Sequence, residues 1–383
     1  MPLTLHQVPH LVFGPGSLAD VPAYLRAHNI HRPLIITSPS NHTHAKSLGD
    51  QIDATTSTEP TVAHFNSLLT IARTFAPDAI IGLGGGSPLD AAKLVAALCN
   101  STQPLAEVFG IGNLTSRSLP LICIPTTAGT GAEVSPNAVL VDEAEQIKKA
   151  AVSPHLVPDA AFIDPTLMLT VPPDVTAATG LDALTHCIET FANLNSVPLI
   201  EPWALDGIRH IAAHLNTAVH EPANLDARTH VALGSLYGGL CLGPVNTAAV
   251  HALSYPLGGK YHVPHGHANA ILLPHVLAFN LSAAPERYAA VALALGVTPQ
   301  STDEATALAG IHHLNHLIHA TGLEMRLSHL AYRGLRIPES DIPALAAAGL
   351  AVTRLMKNNL RPMTQQDAEL IYRAAFHGVD QFS

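Results

Sequence analysis

The chain reads as an α/β domain, a parallel sheet flanked by helices, followed by an all-α domain. Three observations support this. Short apolar runs alternate with helical spacing up to about residue 165, a Pro172-Pro173 pair interrupts the pattern, and amphipathic segments without β-branched runs follow. Leu34–Thr37, Ala79–Leu83, Leu119–Pro125, Val139–Asp142 and Ala160–Ile163 read as strands. They are short and mostly apolar on both faces, as expected of a parallel sheet covered by helices. Pro88–Cys99 between them has helical spacing, which completes an α/β layer. Beyond the prolines, Asp174–Asn193, Ala227–Leu242, Asn246–Leu257, Ala268–Phe279 and Thr302–Ala320 read as helices separated by Pro, Gly and Asn. The boundary is placed near Pro165–Pro173, giving residues 1–168 and 169–383 as the expected domains.

Composition narrows the class. A chain of 383 residues is long enough for two domains, and 48% hydrophobic against 13% charged residues supplies large cores rather than disorder. A net charge of −10 without a basic tract argues against a nucleic-acid partner. The amino-terminal residues, MPLTLHQVPHLVF, lack a signal-peptide pattern, and no apolar stretch approaches the roughly 18 residues of a membrane span. Cys99, Cys123, Cys187 and Cys241 are scattered through apolar surroundings, with no CxxC pair. Buried thiols, a cytoplasmic location and no membrane partner are therefore expected.

Two segments carry the features of a phosphate cradle. Ile80-Ile81-Gly82-Leu83-Gly84-Gly85-Gly86-Ser87-Pro88 runs from a strand through three glycines into a helix, with Pro88 suited to the first turn. Consecutive glycines admit a ligand close to the backbone, and a helix N-terminus offers free N–H groups to an anion. Ser87 stands where a GxGxxG fingerprint would have its last glycine, and a tight structural turn is the alternative reading. Pro125-Thr126-Thr127-Ala128-Gly129-Thr130-Gly131-Ala132-Glu133 also follows a strand and gathers three hydroxyls and two glycines. Two such loops after parallel strands favour a dinucleotide site over a pair of polar turns.

A second constellation points to a metal. Asp182 and His186 lie four residues apart in a helical pattern, which puts both side chains on one face. His251, His265 and His267 supply further imidazoles. One carboxylate with three histidines suits Fe²⁺ or Zn²⁺ with positions left for substrate. Histidine alone is weak evidence, because the chain contains 24 of them.

Together, GGGSPLDAAK (Gly84–Lys93), PTTAGTGAEVSP (Pro125–Pro136), GLDALTHCIE (Gly180–Glu189) and HALSYPLGGKYHVPHG (His251–Gly266) resemble the iron-containing alcohol dehydrogenase family. The resemblance implies an NAD(P)-binding α/β domain and a helical metal-binding domain, with the active site in the cleft between them. Carried over residue by residue, it makes Asp182, His186, His251 and His265 the metal ligands. It makes Gly85, Gly86, Ser87, Asp90, Thr126, Thr127, Thr130, Ser135 and Lys148 the cofactor-binding residues. It also implies a homodimer. After about Gly322 the sequence is generically helical.

Two departures bear on function. Where the family's alcohol dehydrogenases often carry an acid that holds the ribose hydroxyls of NAD, this chain has Ser38, so NADP is a candidate alongside NAD. Tyr255 replaces a further active-site histidine, and is a candidate catalytic group together with His262. The amino-terminal stretch is closer to the maleylacetate reductase branch, yet that branch commonly has Asn where this chain keeps Asp182. The expected reaction is hydride transfer between the nicotinamide and a small alcohol, aldehyde or ketone, with the metal as Lewis acid. A maleylacetate-type reductase is the nearest rival, and a lyase like dehydroquinate synthase the next. Both substrates would require clustered Arg or Lys, whereas near the ligands the sequence offers only Lys260.

Overall fold

Strands whose residues are apolar at every position need cover on both faces, and the first part of the chain provides it. The computed structural model describes residues 4–56, 59–145 and 147–378. They cluster into two compact units, Met1–Val171 and Pro172–Ser383.

In the first unit the strands are β1 (His10–Phe13), β2 (Pro33–Thr37), β3 (Ile52–Asp53), β4 (Ala79–Gly84), β5 (Gly110–Ile111), β6 (Leu121–Pro125), β7 (Asn137–Asp142), β8 (Ile147–Val152) and β9 (Ala160–Ile163). The helices are α1 (Val21–Ala27), α2 (His42–Lys46), α3 (Val62–Phe75), α4 (Gly86–Leu98) and α5 (Leu105–Val108). Six strands form one sheet in the order β1-β9-β6-β4-β2-β3, every neighbouring pair parallel. Side chains alternate between two cores. Leu34, Ile36 and Ile80 pack with Phe65, Leu68 and Leu94 on one face, while Ile35, Ile81 and Leu83 pack with Val21 and Leu25 on the other. Each fully buried Ile or Leu contributes about 1.5–3 kcal/mol to holding this sheet between its helices. The register Thr37↔Leu83 and Gly84↔Pro125 aligns the carboxyl ends of β2, β4 and β6, and the loops that follow them emerge side by side.

One strand expectation needs correction. Val139–Asp142 does not join the parallel sheet; within β7 it pairs antiparallel with β8 in a separate sheet ordered β5-β8-β7. Its residues alternate between buried and half-buried, the pattern of a strand covered mainly on one face.

Among the described residues, the second unit is helical apart from one hairpin. Its helices are α6 (Pro173–Phe191), α7 (Glu201–His220), α8 (Leu225–Leu242), α9 (Ala249–Tyr261), α10 (His265–Leu281), α11 (Pro285–Ala294), α12 (Asp303–Ala320), α13 (Ile342–Leu350), α14 (Thr353–Met356) and α15 (Gln365–His377). The hairpin pairs β10 (Ala331–Tyr332) with β11 (Leu335–Arg336). α6 is its central element: nearly every residue from Thr176 to Phe191 is buried, polar ones included. Close packing around it requires Gly266, where an added Cβ would lie 2.0 Å from the Ala178 carbonyl oxygen. The start of α10 can therefore approach α6 only with glycine after His265. All four cysteines are buried and free, as their apolar neighbourhoods predict. No helix among the described residues is long and apolar enough to cross a membrane.

Candidate metal centre and nucleotide loops

α6, α9 and α10 each contribute to one polar cluster inside the helical unit. Asp182 and His186 stand one turn apart on α6, His251 near the start of α9, and His265 at the start of α10. Asp182 Oδ1 lies 3.7 Å from His186 Nε2, 3.5 Å from His251 Nε2 and 3.8 Å from His265 Nε2. Ligand atoms of Asp182, His186 and His251 all fall within 4.8 Å of one another, and His265 joins from the Asp182 side. A tetrahedral ion with donors at about 2.1 Å sets them about 3.4 Å apart, close to the observed spacing. Asp182, His186 and His251 are buried, whereas the His265 side chain is 25% exposed, so solvent and ligands reach the cluster from its side.

The electrostatics favour a cation at that point. Burial works against ionisation of Asp182, but His186, His265 and His251 hold its carboxyl well below the usual range. Burial likewise disfavours a charged His251, yet Asp182 and Glu189 outweigh it and raise the imidazole to about 10. Asn269, one turn after His265, points its Nδ2 to the same place, 2.7 Å from Asp182 Oδ1, 3.1 Å from His251 Nε2 and 3.4 Å from His265 Nε2. Its Oδ1 is buried without a hydrogen-bond partner. An amide N–H₂ thus stands in for positive charge where four donors meet, and the residues present fit a divalent ion.

In the first unit the three loops after β2, β4 and β6 converge. Gly85 caps α4 in an extended conformation, and Gly85, Gly86 and Ser87 are partly exposed after a strand that is buried throughout. A Cβ on Gly86 would lie 2.7 Å from Thr130 Cγ2, and one on Gly85 3.2 Å from Thr127 Oγ1, so the threonine loop lies directly on the glycine turn. Thr126 is tied in by its N–H, which donates to Gly84 O at 2.9 Å. After β2, Asn41 Nδ2 donates to Ser38 Oγ at 2.9 Å and to Thr126 Oγ1 at 3.2 Å, linking the first loop to the third. The arrangement offers backbone N–H groups at a helix N-terminus, rimmed by hydroxyls, the environment a diphosphate requires.

Residues 9–165 match the family described as iron-containing alcohol dehydrogenase, and residues 176–376 match the Fe-containing alcohol dehydrogenase family, C-terminal. The chain belongs to the iron-containing alcohol dehydrogenase family. This member is 37% identical over 324 residues to long-chain-alcohol dehydrogenase 1 of Geobacillus thermodenitrificans, covering 84% of this chain and 80% of that one. Its fold is similar to a crystal structure of 1,3-propanediol oxidoreductase, with a TM-score of 0.92, 30% identity and coverage of 98% and 100%. Sulfoacetaldehyde reductase from Bifidobacterium kashiwanohense in complex with NAD⁺ gives a TM-score of 0.86 at 25% identity, with coverage of 98% and 99%. The two-domain fold expected from the sequence is that of these iron-type dehydrogenases, and the protein is an oxidoreductase of the alcohol dehydrogenase class.

The remaining sequence candidates in this iron-type dehydrogenase fall in varied places. Tyr255 is half-buried, with its ring 5.9 Å from that of His265, and its hydroxyl accepts from Arg354 Nη2 at 2.9 Å. His262 instead is an exposed C-cap of α9 with φ 55°, directed into helix termination. His267 is enclosed between Tyr332 OH at 2.7 Å and Glu324 O at 2.6 Å. Lys260 pairs with Asp341 at the surface. Asp90 accepts from the Val139 N–H at 3.0 Å, which ties α4 to β7; burial, opposed by Lys93, raises it to about 6. Ser135 is buried and its carbonyl receives Lys93 Nζ at 2.8 Å, while Lys148 on β8 pairs with Glu59.

Four further residues were not found from the sequence. Glu189 accepts from His251 Nδ1, Asn269 reaches the ligand cluster, Asn41 bridges two loops, and the fully buried Lys93 holds Ser135 and Asn137 by their carbonyls. For Glu189 a signal existed: it lies seven residues after Asp182, two helical turns along the same face.

Proposed function

We propose that the chain interconverts a small alcohol and its aldehyde or ketone, using NAD or NADP and one divalent ion held by Asp182, His186, His251 and His265. The observation that carries this reading is the set of three imidazole Nε2 atoms within 3.8 Å of Asp182 Oδ1. An ion bound there supplies Lewis acidity, which lowers the pKa of an alcohol hydroxyl or polarises a carbonyl. The nicotinamide supplies the hydride chemistry.

The chain's own residues do the rest. Glu189 accepts the hydrogen bond that His251 donates from Nδ1–H, which would leave the Nε2 lone pair for an ion. Asn269 steadies the carboxylate of Asp182 through its amide. Tyr255, oriented by Arg354, presents its phenol beside His265 on the more exposed side, where it positions substrate. Gly85, Gly86 and Ser87 cradle the diphosphate with Thr126, Thr127 and Thr130, while Asp90, Ser135 and Lys93 fix the backbone beneath them. Ser38 lies in a loop of hydroxyls and one amide, and this supports acceptance of a 2′-phosphate. Lys148 is assigned to the ribose end.

Fe²⁺ is the assigned ion because the matched family is described as iron-containing, and Zn²⁺ is the alternative that the same donors accept. Retention of Asp182 favours metal-dependent alcohol chemistry over the maleylacetate-type reaction. Residues 1–168 take the cofactor role and residues 169–383 the metal role. Free buried cysteines fit a cytoplasmic enzyme, and the homodimer rests on the family resemblance. Metal analysis of purified protein, with an alcohol and aldehyde panel run on both cofactors, tests the proposal. Turnover confined to oxo-acids, or full turnover without metal, overturns it.

A further inference from the structure

Among the described residues a second group of metal-type ligands comes together away from the first. His210, His214 and His230 place ligand atoms within 4.8 Å of one another, all three half-buried. His210 and His214 lie one turn apart on α7, and His230 comes from α8.

Glycines bring the two helices together. A Cβ on Gly207 would lie 3.2 Å from Gly234 O, and one on Gly234 3.0 Å from Gly207 O, so the backbones of α7 and α8 touch. The short connection from Glu221 to Asn224 makes the helices antiparallel. His210 lies one turn beyond Gly207 and His230 one turn before Gly234, which sets them opposite each other next to the crossing.

Hydrogen bonding sets which nitrogens are free. His214 Nδ1 is 3.0 Å from the His210 carbonyl, so its N–H donates there and Nε2 keeps its lone pair. His230 Nε2 faces Asp226 Oδ1 at 3.8 Å, which leaves Nδ1 toward His210. His210 Nδ1 and His230 Nδ1 are 3.0 Å apart. A tetrahedral ion with bonds of about 2.1 Å would hold the two nitrogens about 3.4 Å apart, in place of the hydrogen bond they share. His210–His230 and His214–His230 are stacked with interplanar angles of 18°, so binding one ion requires the rings to turn until their in-plane lone pairs converge.

We propose that His210, His214 and His230 form a second divalent transition-metal site that clamps α7 to α8. An all-imidazole set selects Zn²⁺, Ni²⁺ or Cu²⁺ over Mg²⁺ and Ca²⁺, which require oxygen ligands.

The test is Zn²⁺ titration of metal-stripped full-length protein, with calorimetry and thermal melting as readouts. In a His251→Ala background, which disables the Asp182 cluster, one Zn²⁺ still binds and Tm rises with it. Adding His230→Ala weakens that binding at least about tenfold and removes the Tm response. Adding His312→Ala and His316→Ala instead, a pair with the same spacing on α12, leaves both readouts unchanged. Should His230→Ala fail to fold, His214→Gln supplies the same comparison. Equal Zn²⁺ affinity with and without His230, or no binding in the His251→Ala chain, overturns the proposal.

Discussion

Glu189 Oε2 accepts a hydrogen bond from His251 Nδ1 at 2.6 Å, while its other oxygen accepts the Val250 N–H at 2.6 Å. The carboxylate of α6 therefore fixes the ring of a proposed ligand on α9. Glu189→Gln keeps the shape but loses the charge that orients and polarises His251. Metal affinity is expected to fall about 10–100-fold, measured by competition with a chelator, with circular dichroism unchanged. Unchanged affinity would remove Glu189 from the site.

Much of that site was legible because its parts are local. The Asp182/His186 spacing and the two glycine–threonine loops need only a few consecutive residues to show their chemistry. What escaped was set by distance or by disguise. Glu189 meets His251 across 62 residues, and Arg354 meets Tyr255 across 99, so no window of sequence contains either pair. β8 was hidden by Lys148 and Lys149, whose charges break an apolar pattern although both pair with acids. The orientation of Val139–Asp142 depends on that unseen partner. The imidazole of His262 marks it as a candidate by chemistry alone, whereas its left-handed backbone is a property of the helix end.

Cofactor choice should follow the loop after β2. Ser38 bonds with Ser40 and Asn41, a neutral lining that accepts NADPH as well as NADH. Ser38→Asp should shift kcat/KM toward NADH by repelling the 2′-phosphate. A wild-type preference for NADH above about 1000-fold, worth about 4 kcal/mol, contradicts this account.

Tyr255→Phe removes the acceptor that Arg354 orients beside His265. At unchanged metal occupancy kcat should fall about tenfold, equivalent to about 1.4 kcal/mol. Arg354→Ala should lower kcat in the same direction. Unchanged kinetics across the pH range would leave Tyr255 as packing.

Glu133, buried at the end of the threonine loop, has its pKa raised from 4.5 to about 7, by burial first and against the pull of Lys93. A raised acid favours the folded state below its unfolded pKa and loses that contribution as pH rises through the folded value. Wild-type stability should thus decline between pH 4.5 and about 7 by up to about 3 kcal/mol from this group. Glu133→Gln should flatten that part of the denaturation profile, measured in urea at pH 5 and pH 8. An equal decline in both proteins counts against it.

The proposed function requires four side chains on α6, α9 and α10 to bind one catalytic ion. Metal content and alcohol oxidation measured together on wild-type and His251→Ala protein address it most directly, with circular dichroism confirming the fold. The variant should remain folded, bind ion far more weakly at Asp182 and lose turnover in proportion. A purified wild-type enzyme that is fully active without metal, or a His251→Ala variant with normal turnover, would contradict it.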